Sequence, residues 1–286
     1  MRIARTVREL RESVSAARTR GERIGLVPTM GAFHDGHLSL MRRARGACGL
    51  VTVSLFVNPT QFNERSDLDR YPRDEERDAR MAESAGVDVL FAPSVEEVYP
   101  AGFVTTVEVS GVSEPLEGAV RGPAHFRGVA TVVAKLFNMA QPDIAFFGQK
   151  DAQQALLIRR MARDLDFPVT IEVCPTVREA DGLAMSSRNV LLDAASRQRA
   201  AALSRALFAV EHAVTGGERD AARALAAGRA ILAADGIEPE YLDAVDTDTL
   251  LPVHTITNET LIPLAARFGA VRLIDHVIVR PTAGSS

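Results

Sequence analysis

The sequence predicts an α/β chain: a parallel sheet with helices on both faces, followed by a smaller α+β C-terminal domain. Three observations carry this. Near-continuous apolar and β-branched runs, residues 50–57 the longest, alternate with helical stretches; strands buried on both faces of a parallel sheet have that texture. Gly, Asn and a cation stand just past the ends of several of these runs, at the rim where open parallel sheets bind ligands. Near residue 176 the texture changes to Ala-rich helices and short β-type runs, so the domains divide as 1–176 and 177–286.

In order, Val7, Leu10, Val14 and Ala17 recur at helical spacing over residues 6–20, and Gly21 ends that helix. Residues 24–27 form a short buried strand, which Pro28 stops because it cannot donate to a ladder. Leu38, Leu40, Met41 and Ala44 set a helix from His37 to about Cys48. The strand at 50–57 completes a βαβ unit. Residues 67–80 are mostly a solvated charged face, with a helix over 74–85 and a strand over 87–91. Residues 103–109 alternate and read as a strand. Residues 118–128 read as a Gly- and Arg-containing loop before a helix over 129–139. A strand at 143–147, a helix at 152–164 and a strand at 169–173 follow. Beyond them, helices over 193–214 and 218–234 precede two β runs, 260–268 and 271–279, which Gly269-Ala270 can join as a hairpin. Residues 281–286 read as a disordered tail.

Composition narrows the function classes. Hydrophobic residues are 47% and charged residues 24% of 286, ordinary values for a globular protein of two domains or one large one. A net charge of −4 provides no basic field, so no nucleic-acid partner is expected and phosphate binding must be local. No apolar run approaches a membrane span, and the first residues lack a signal-peptide core. Cys48 and Cys174 read as small buried hydrophobes, which fits a reducing cytoplasm.

The stretch Met30-Gly31-Ala32-Phe33-His34-Asp35-Gly36-His37 is where the chemistry concentrates. A glycine-containing loop between a strand and a helix aims backbone N–H groups and the helix dipole at one spot, which suits phosphate. Two imidazoles three residues apart can donate to phosphate oxygens as charge builds in a transition state; such a pair also suits a metal, or is plain surface polarity. Asn58 and Gln61 stand at the rim of the next strand with amides suited to a hydroxy acid, although Asn-Pro is equally turn chemistry. Gly148-Gln149-Lys150-Asp151 ends another strand, with Lys150 able to meet phosphate as a point charge and Gln154 one turn into the helix beyond. Ser186, Ser187 and Arg188 offer hydroxyl donors and a bidentate guanidinium for a triphosphate. A helix N-cap cluster is the alternative there, weakened because the next helix starts at Asp193.

His34-Asp35-Gly36-His37 opening a helix after a first strand resembles the signature of nucleotidyltransferases related to class I aminoacyl-tRNA synthetases. Pro-Thr-Met-Gly (28–31) ahead of it, Phe-Val-Asn-Pro-Thr-Gln-Phe (56–62), His-Phe-Arg-Gly-Val (125–129), Gly-Gln-Lys-Asp (148–151) and Ser-Ser-Arg-Asn (186–189) extend the likeness to nearly the whole chain. In this the chain resembles the pantoate–β-alanine ligase family. The resemblance implies a Rossmann-like domain over 1–176 that binds nucleotide and pantoate, and a lid domain over 177–286. It implies ATP with Mg²⁺, attack of the pantoate carboxylate on the α-phosphate, and release of AMP when β-alanine takes the pantoyl group. By the same resemblance Met30, Gly31, Ala32, Phe33, His34, Asp35, Gly36 and His37 lie along ATP. His37 acts as a proton donor and His34 supports the phosphates. Gly148, Gln149, Lys150 and Asp151, then Val177, Met185, Ser186, Ser187 and Arg188, complete the ATP contacts, with Lys150 and Arg188 adding catalytic charge. Gln61, Gln154 and Asn58 meet the acid substrate. Of an acidic pair linked to Mg²⁺ in some members only Asp78 carries over, since Arg77 takes the other position. The loop from Arg121 to His125 is one residue longer than the family's, and Gln149 replaces the usual Glu. A cytoplasmic homodimer is also implied.

Overall fold

The apolar runs of the first half pair in parallel, as a computed structural model describing residues 1–281 shows. One compact unit covers Met1–Pro175 and a second runs from Thr176 onward. Of the expected tail at 281–286, residues 282–286 lie outside the described residues.

The first unit runs β1 (Arg2–Ala4), α1 (Val7–Thr19), β2 (Ile24–Thr29), α2 (Asp35–Ala47), β3 (Leu50–Leu55), α3 (Arg65–Arg70), α4 (Glu75–Ser84), β4 (Val89–Phe91), α5 (Val95–Val98), α6 (Glu117–Arg121), α7 (Pro123–Ala140), β5 (Ile144–Gly148), α8 (Ala152–Asp164) and β6 (Thr170–Cys174). Its sheet has six strands in the order β1-β4-β3-β2-β5-β6, all parallel. From β2 the chain winds outward to β3 and β4, then returns to add β5 on the other side. Right-handed crossovers therefore send helices to both faces: α2 packs with α4, whereas α1 and α8 pack with α7. The order reverses between β2 and β5, so the loops after these two strands diverge and leave a crevice at their carboxyl ends.

Local chemistry sets the boundaries. Thr6 caps α1 with Glu9 in a reciprocal box, and Leu10, Val14 and Ala17 are its buried stripe. The helix after β2 starts at Asp35, two residues before the expected start, because the ring of His34 serves as its N-cap. Pro28 does not stop β2: it pairs with Ser54 of β3, while pairing with β5 is confined to Gly25 and Leu26. The missing N–H is tolerated where one side of the strand is no longer laddered.

Two expected elements are corrected. Residues 103–109 are not a strand. Their backbone is held along α7, with Val107 N–H donating to Thr131 Oγ1 at 2.9 Å and Phe103 under the Lys135 ammonium, 4.3 Å from its ring centre. Residues 118–128 are not a loop: α6 and the first turns of α7 occupy them, with Pro123 at the opening position of α7, where a missing N–H costs nothing. β1 and α3 were not expected.

The second unit comprises α9 (Ala194–Ala200), α10 (Ala202–Thr215), α11 (Ala221–Ala234), β7 (Pro239–Leu242), β8 (Val245–Asp246), β9 (Thr260–Phe268) and β10 (Val271–Val279). β9 and β10 form the expected antiparallel hairpin, β7 and β8 pair with β9, and the Ala-rich helices bury Leu203, Leu207, Val210 and Leu225 in its core. The helical stretch expected at 193–214 breaks at Ala201, whose carbonyl accepts from the Ser204 hydroxyl at 3.0 Å.

Candidate functional site

The loop from Met30 to His34 is built on Asp78. Gly31 lies at φ +89°, and a Cβ there would stand 2.6 Å from Leu55 Cδ1 and 2.9 Å from Asp78 Oδ2, so both the turn and the close approach require glycine. Ala32 follows in the left-handed region at φ +53°, a strain of about 1 kcal/mol. The strain is held by two hydrogen bonds, as the N–H groups of Ala32 and Phe33 donate to Asp78 Oδ2 and Oδ1 at 2.7 and 2.9 Å. Arg77, on the same helix, donates to the Phe33 carbonyl at 3.1 Å. Asp78 is 1% exposed, and with both oxygens on loop N–H groups its surroundings do not fit a metal shell. Among the described residues no group of three or more His, Cys, Asp and Glu side chains could hold a metal ion.

The same loop fixes the state of the two histidines. Gly36 N–H donates to His34 Nδ1 at 3.1 Å and His34 N–H to His37 Nδ1 at 3.4 Å, and the ring centres stand 4.2 Å apart. With both Nδ1 atoms accepting, each neutral ring carries its proton on Nε2 and offers an Nε2–H donor. Burial lowers the pKa of His37 to about 3, with His34 next and Lys150 also contributing. His34 is lowered by burial first and Lys150 second. Both rings therefore feel the Lys150 ammonium, which the loop after β5 carries on the other side of the switch point. Lys150 also faces Asp151 at 3.8 Å.

A pH dependence follows. An unfolded His37 takes up its proton below about pH 6.5, whereas the folded residue resists until about pH 3. The unfolded state therefore binds more protons within this window, and stability falls as pH drops through it. Denaturant titrations between pH 7 and 4 should show a shallower loss for His37→Gln; equal slopes would refute the neutral assignment.

Asn58 and Gln61 come together at the end of β3. Asn58 is 1% exposed and saturated: Nδ2 donates to Gln61 Oε1 and to the Gly128 carbonyl, each at 3.1 Å, and Oδ1 accepts from the Tyr99 and Thr60 hydroxyls, each at 2.9 Å. Expected as a substrate contact, Asn58 has its hydrogen-bonding groups engaged by the protein. Gln61 reaches Met30 Sδ at 2.8 Å through Nε2, and its carbonyl lies 2.8 Å from His125 Nδ1. His125 is held below its ordinary pKa, by burial first and the Arg121 charge second. Gln154 is half-buried on α8. Gly128 lets α7 lie directly on this turn: a Cβ there would be 2.4 Å from the Thr60 carbonyl oxygen. Gly128→Ala should cost about 1–3 kcal/mol by overpacking, read as a lower Tm; an unchanged Tm would refute the close approach.

In the second unit the segment with Val177, Met185, Ser186, Ser187 and Arg188 is braced from within. Met185 N–H donates to the Val177 carbonyl at 2.9 Å, and Arg188 N–H to Ser186 Oγ at 3.2 Å. Asn189 Nδ2 donates to Glu179 Oε1 at 2.6 Å, and Arg197 bridges Glu179 and Asp181 at 2.6 and 2.5 Å. Arg178 grips Asp275 at 2.6 Å. Asp193, not this cluster, caps the next α-helix. Sequence reasoning missed Tyr99, and it assigned no contact to His125 or Gly128 although their motif was in view.

The family described as Pantoate-beta-alanine ligase matches residues 2–278. A pantothenate synthetase of Cereibacter sphaeroides is 56% identical over 278 residues, covering 97% of this chain and 99% of its own. The crystal structure of pantothenate synthetase from Thermus thermophilus superposes with a TM-score of 0.92 at 49% identity, over 98% of this chain and 100% of that one. A pantoate-beta-alanine ligase from Francisella tularensis, complexed with beta-gamma ATP and beta-alanine, is 34% identical with a TM-score of 0.77, over 97% of each chain.

Proposed function

The chain belongs to the pantoate-beta-alanine ligase family and makes pantothenate from pantoate, β-alanine and ATP; from that premise we propose that the reaction runs through a pantoyl adenylate. The carboxylate of (R)-pantoate attacks the α-phosphorus as the bond to pyrophosphate breaks. The β-alanine amine then attacks the acyl carbon, loses a proton, and AMP leaves.

The observation that carries this reading is the pair of neutral imidazoles beside Lys150 at the switch point. Their Nε2–H groups, preorganised by backbone N–H donors to Nδ1, suit the negative charge that grows on phosphate oxygens in the transition state. His37 acts as this donor and His34 supports the phosphates. Lys150 supplies a full charge, and the Met30–His37 stretch and Gly148 to Asp151 line the nucleotide. Ser186, Ser187 and Arg188, with Val177 and Met185, bind further along it, and Gln61 and Gln154 take pantoate. Mg²⁺ enters with the triphosphate as part of the substrate, since phosphate oxygens give it the ligands it prefers. Two free, buried cysteines suit the cytoplasm, and among the described residues no helix is long and apolar enough to cross a membrane. A homodimer is proposed on the resemblance; light scattering at the monomer mass would end that part.

The deciding assay is AMP release. AMP should form only when pantoate, β-alanine and ATP are together, and labelled pantoate with ATP alone should yield an enzyme-bound adenylate. Product without a trapped adenylate would overturn the two-step route.

A further inference from the structure

The Gln61 side chain ends in a primary amide, whose two ends have nearly the same shape and opposite hydrogen-bonding sense. The end that meets a substrate is decided by what the other end meets. Here Oε1 accepts from Asn58 Nδ2, so the amino end is presented, with one contact to Met30 Sδ.

Asn58 cannot turn over to reverse this. Its Nδ2 faces the Gly128 carbonyl, and its Oδ1 faces the Thr60 N–H at 3.3 Å; a flip would set acceptor against acceptor and donor against donor in a buried place. The Tyr99 hydroxyl closes the arrangement on Oδ1 at 2.9 Å. The Tyr99 ring is itself fixed, with Phe103 5.2 Å and Phe56 6.2 Å away between ring centres and Lys135 Nζ 5.7 Å from its own centre.

We propose that Tyr99 and Asn58 are positioning residues that lock Gln61 as a hydrogen-bond donor, so that the acid substrate is selected for an oxygen that accepts from Gln61 Nε2–H. This rests on the reading that Gln61 contacts pantoate. Tyr99 touches no reacting atom in this scheme; it acts through Asn58. The site then favours an acid that presents a carboxylate or hydroxyl oxygen there and disfavours an analogue that presents a donor.

The test is a double-mutant cycle between Tyr99→Phe and Gln61→Ala, with KM for pantoate, KM for ATP and kcat measured on each purified enzyme. Gln61→Ala should raise the pantoate KM about tenfold or more, the loss expected for a hydrogen bond to a charged group. Tyr99→Phe should raise it about three- to tenfold, with the ATP KM and kcat within twofold of the parent. In the Gln61→Ala background Tyr99→Phe should change nothing further, since the group it positions is gone. Asn58→Asp, which removes the donor to Gln61, should raise the pantoate KM at least as much as Tyr99→Phe. If Gln61→Ala leaves the pantoate KM unchanged, the assignment of Gln61 fails and the proposal falls with it. If Gln61→Ala raises it while Tyr99→Phe has no effect, or the two effects multiply independently, the positioning role alone is overturned.

Discussion

Replacing His37 with Ala is expected to slow adenylate formation by a hundredfold or more, the scale on which loss of one preorganised transition-state donor acts. The geometry predicts how the loss divides. His37 is a neutral ring whose Nδ1 is occupied by the His34 N–H, so in the proposed mechanism it acts through Nε2–H. A donor that strengthens only as charge accumulates affects kcat more than KM, so the ATP KM should move by no more than a few fold. Because its pKa lies near 3, the pH–rate profile from 6 to 9 should contain no ionisation that His37→Ala removes. Rapid-quench measurement of pantoyl adenylate separates the outcomes. A near-wild-type rate would take His37 out of the mechanism, and a titration near pH 6.5 lost in the variant would show that the imidazolium, not the neutral ring, is the working form.

The second large effect is expected at Asp78. Removing its carboxylate by Asp78→Ala strips two N–H donors of their acceptor beside a residue in the left-handed region. Each such bond to a charged acceptor contributes about 1.5–3 kcal/mol, so a loss of about 3–6 kcal/mol is expected. The loop carrying His34 and His37 should loosen with it, and turnover should fall steeply. Asp78→Asn tells a loop anchor from a metal ligand. An amide keeps one acceptor, so stability should fall by about half as much, and the Mg²⁺ concentration for half-maximal rate should match the wild type. A large rise in the Mg²⁺ requirement with unchanged Tm would return Asp78 to the metal.

Much of the fold was legible because its signals are local. The apolar runs at β2, β3 and β5 mark strands covered on both faces, and a glycine loop before an amphipathic helix marks the rim where the histidines sit. What was not legible depends on partners far along the chain. The alternation of 103–109 mimics a strand, yet its backbone is spent on Thr131 of α7. Gly122, Pro123 and Gly128 look like loop residues, yet Pro123 opens a helix and Gly128 is the contact surface of one. Asn58 has the composition of a ligand-binding rim, yet its oxygen is engaged by Thr60 two residues on and by Tyr99, a distant residue without a motif of its own. Three residues of β1 are too few to display a period.

That short first strand has a consequence for how the molecule is made. Arg2 to Ala4 ladder only onto Val89 to Phe91, so during synthesis the opening residues have nowhere to settle until β4 has emerged. While β1 stays undocked, β4 presents a bare hydrogen-bonding edge of apolar residues, the kind of border along which nascent chains stick to one another. A bulky fusion or a trimmed start would prolong that exposure, and soluble yield would suffer before catalysis did.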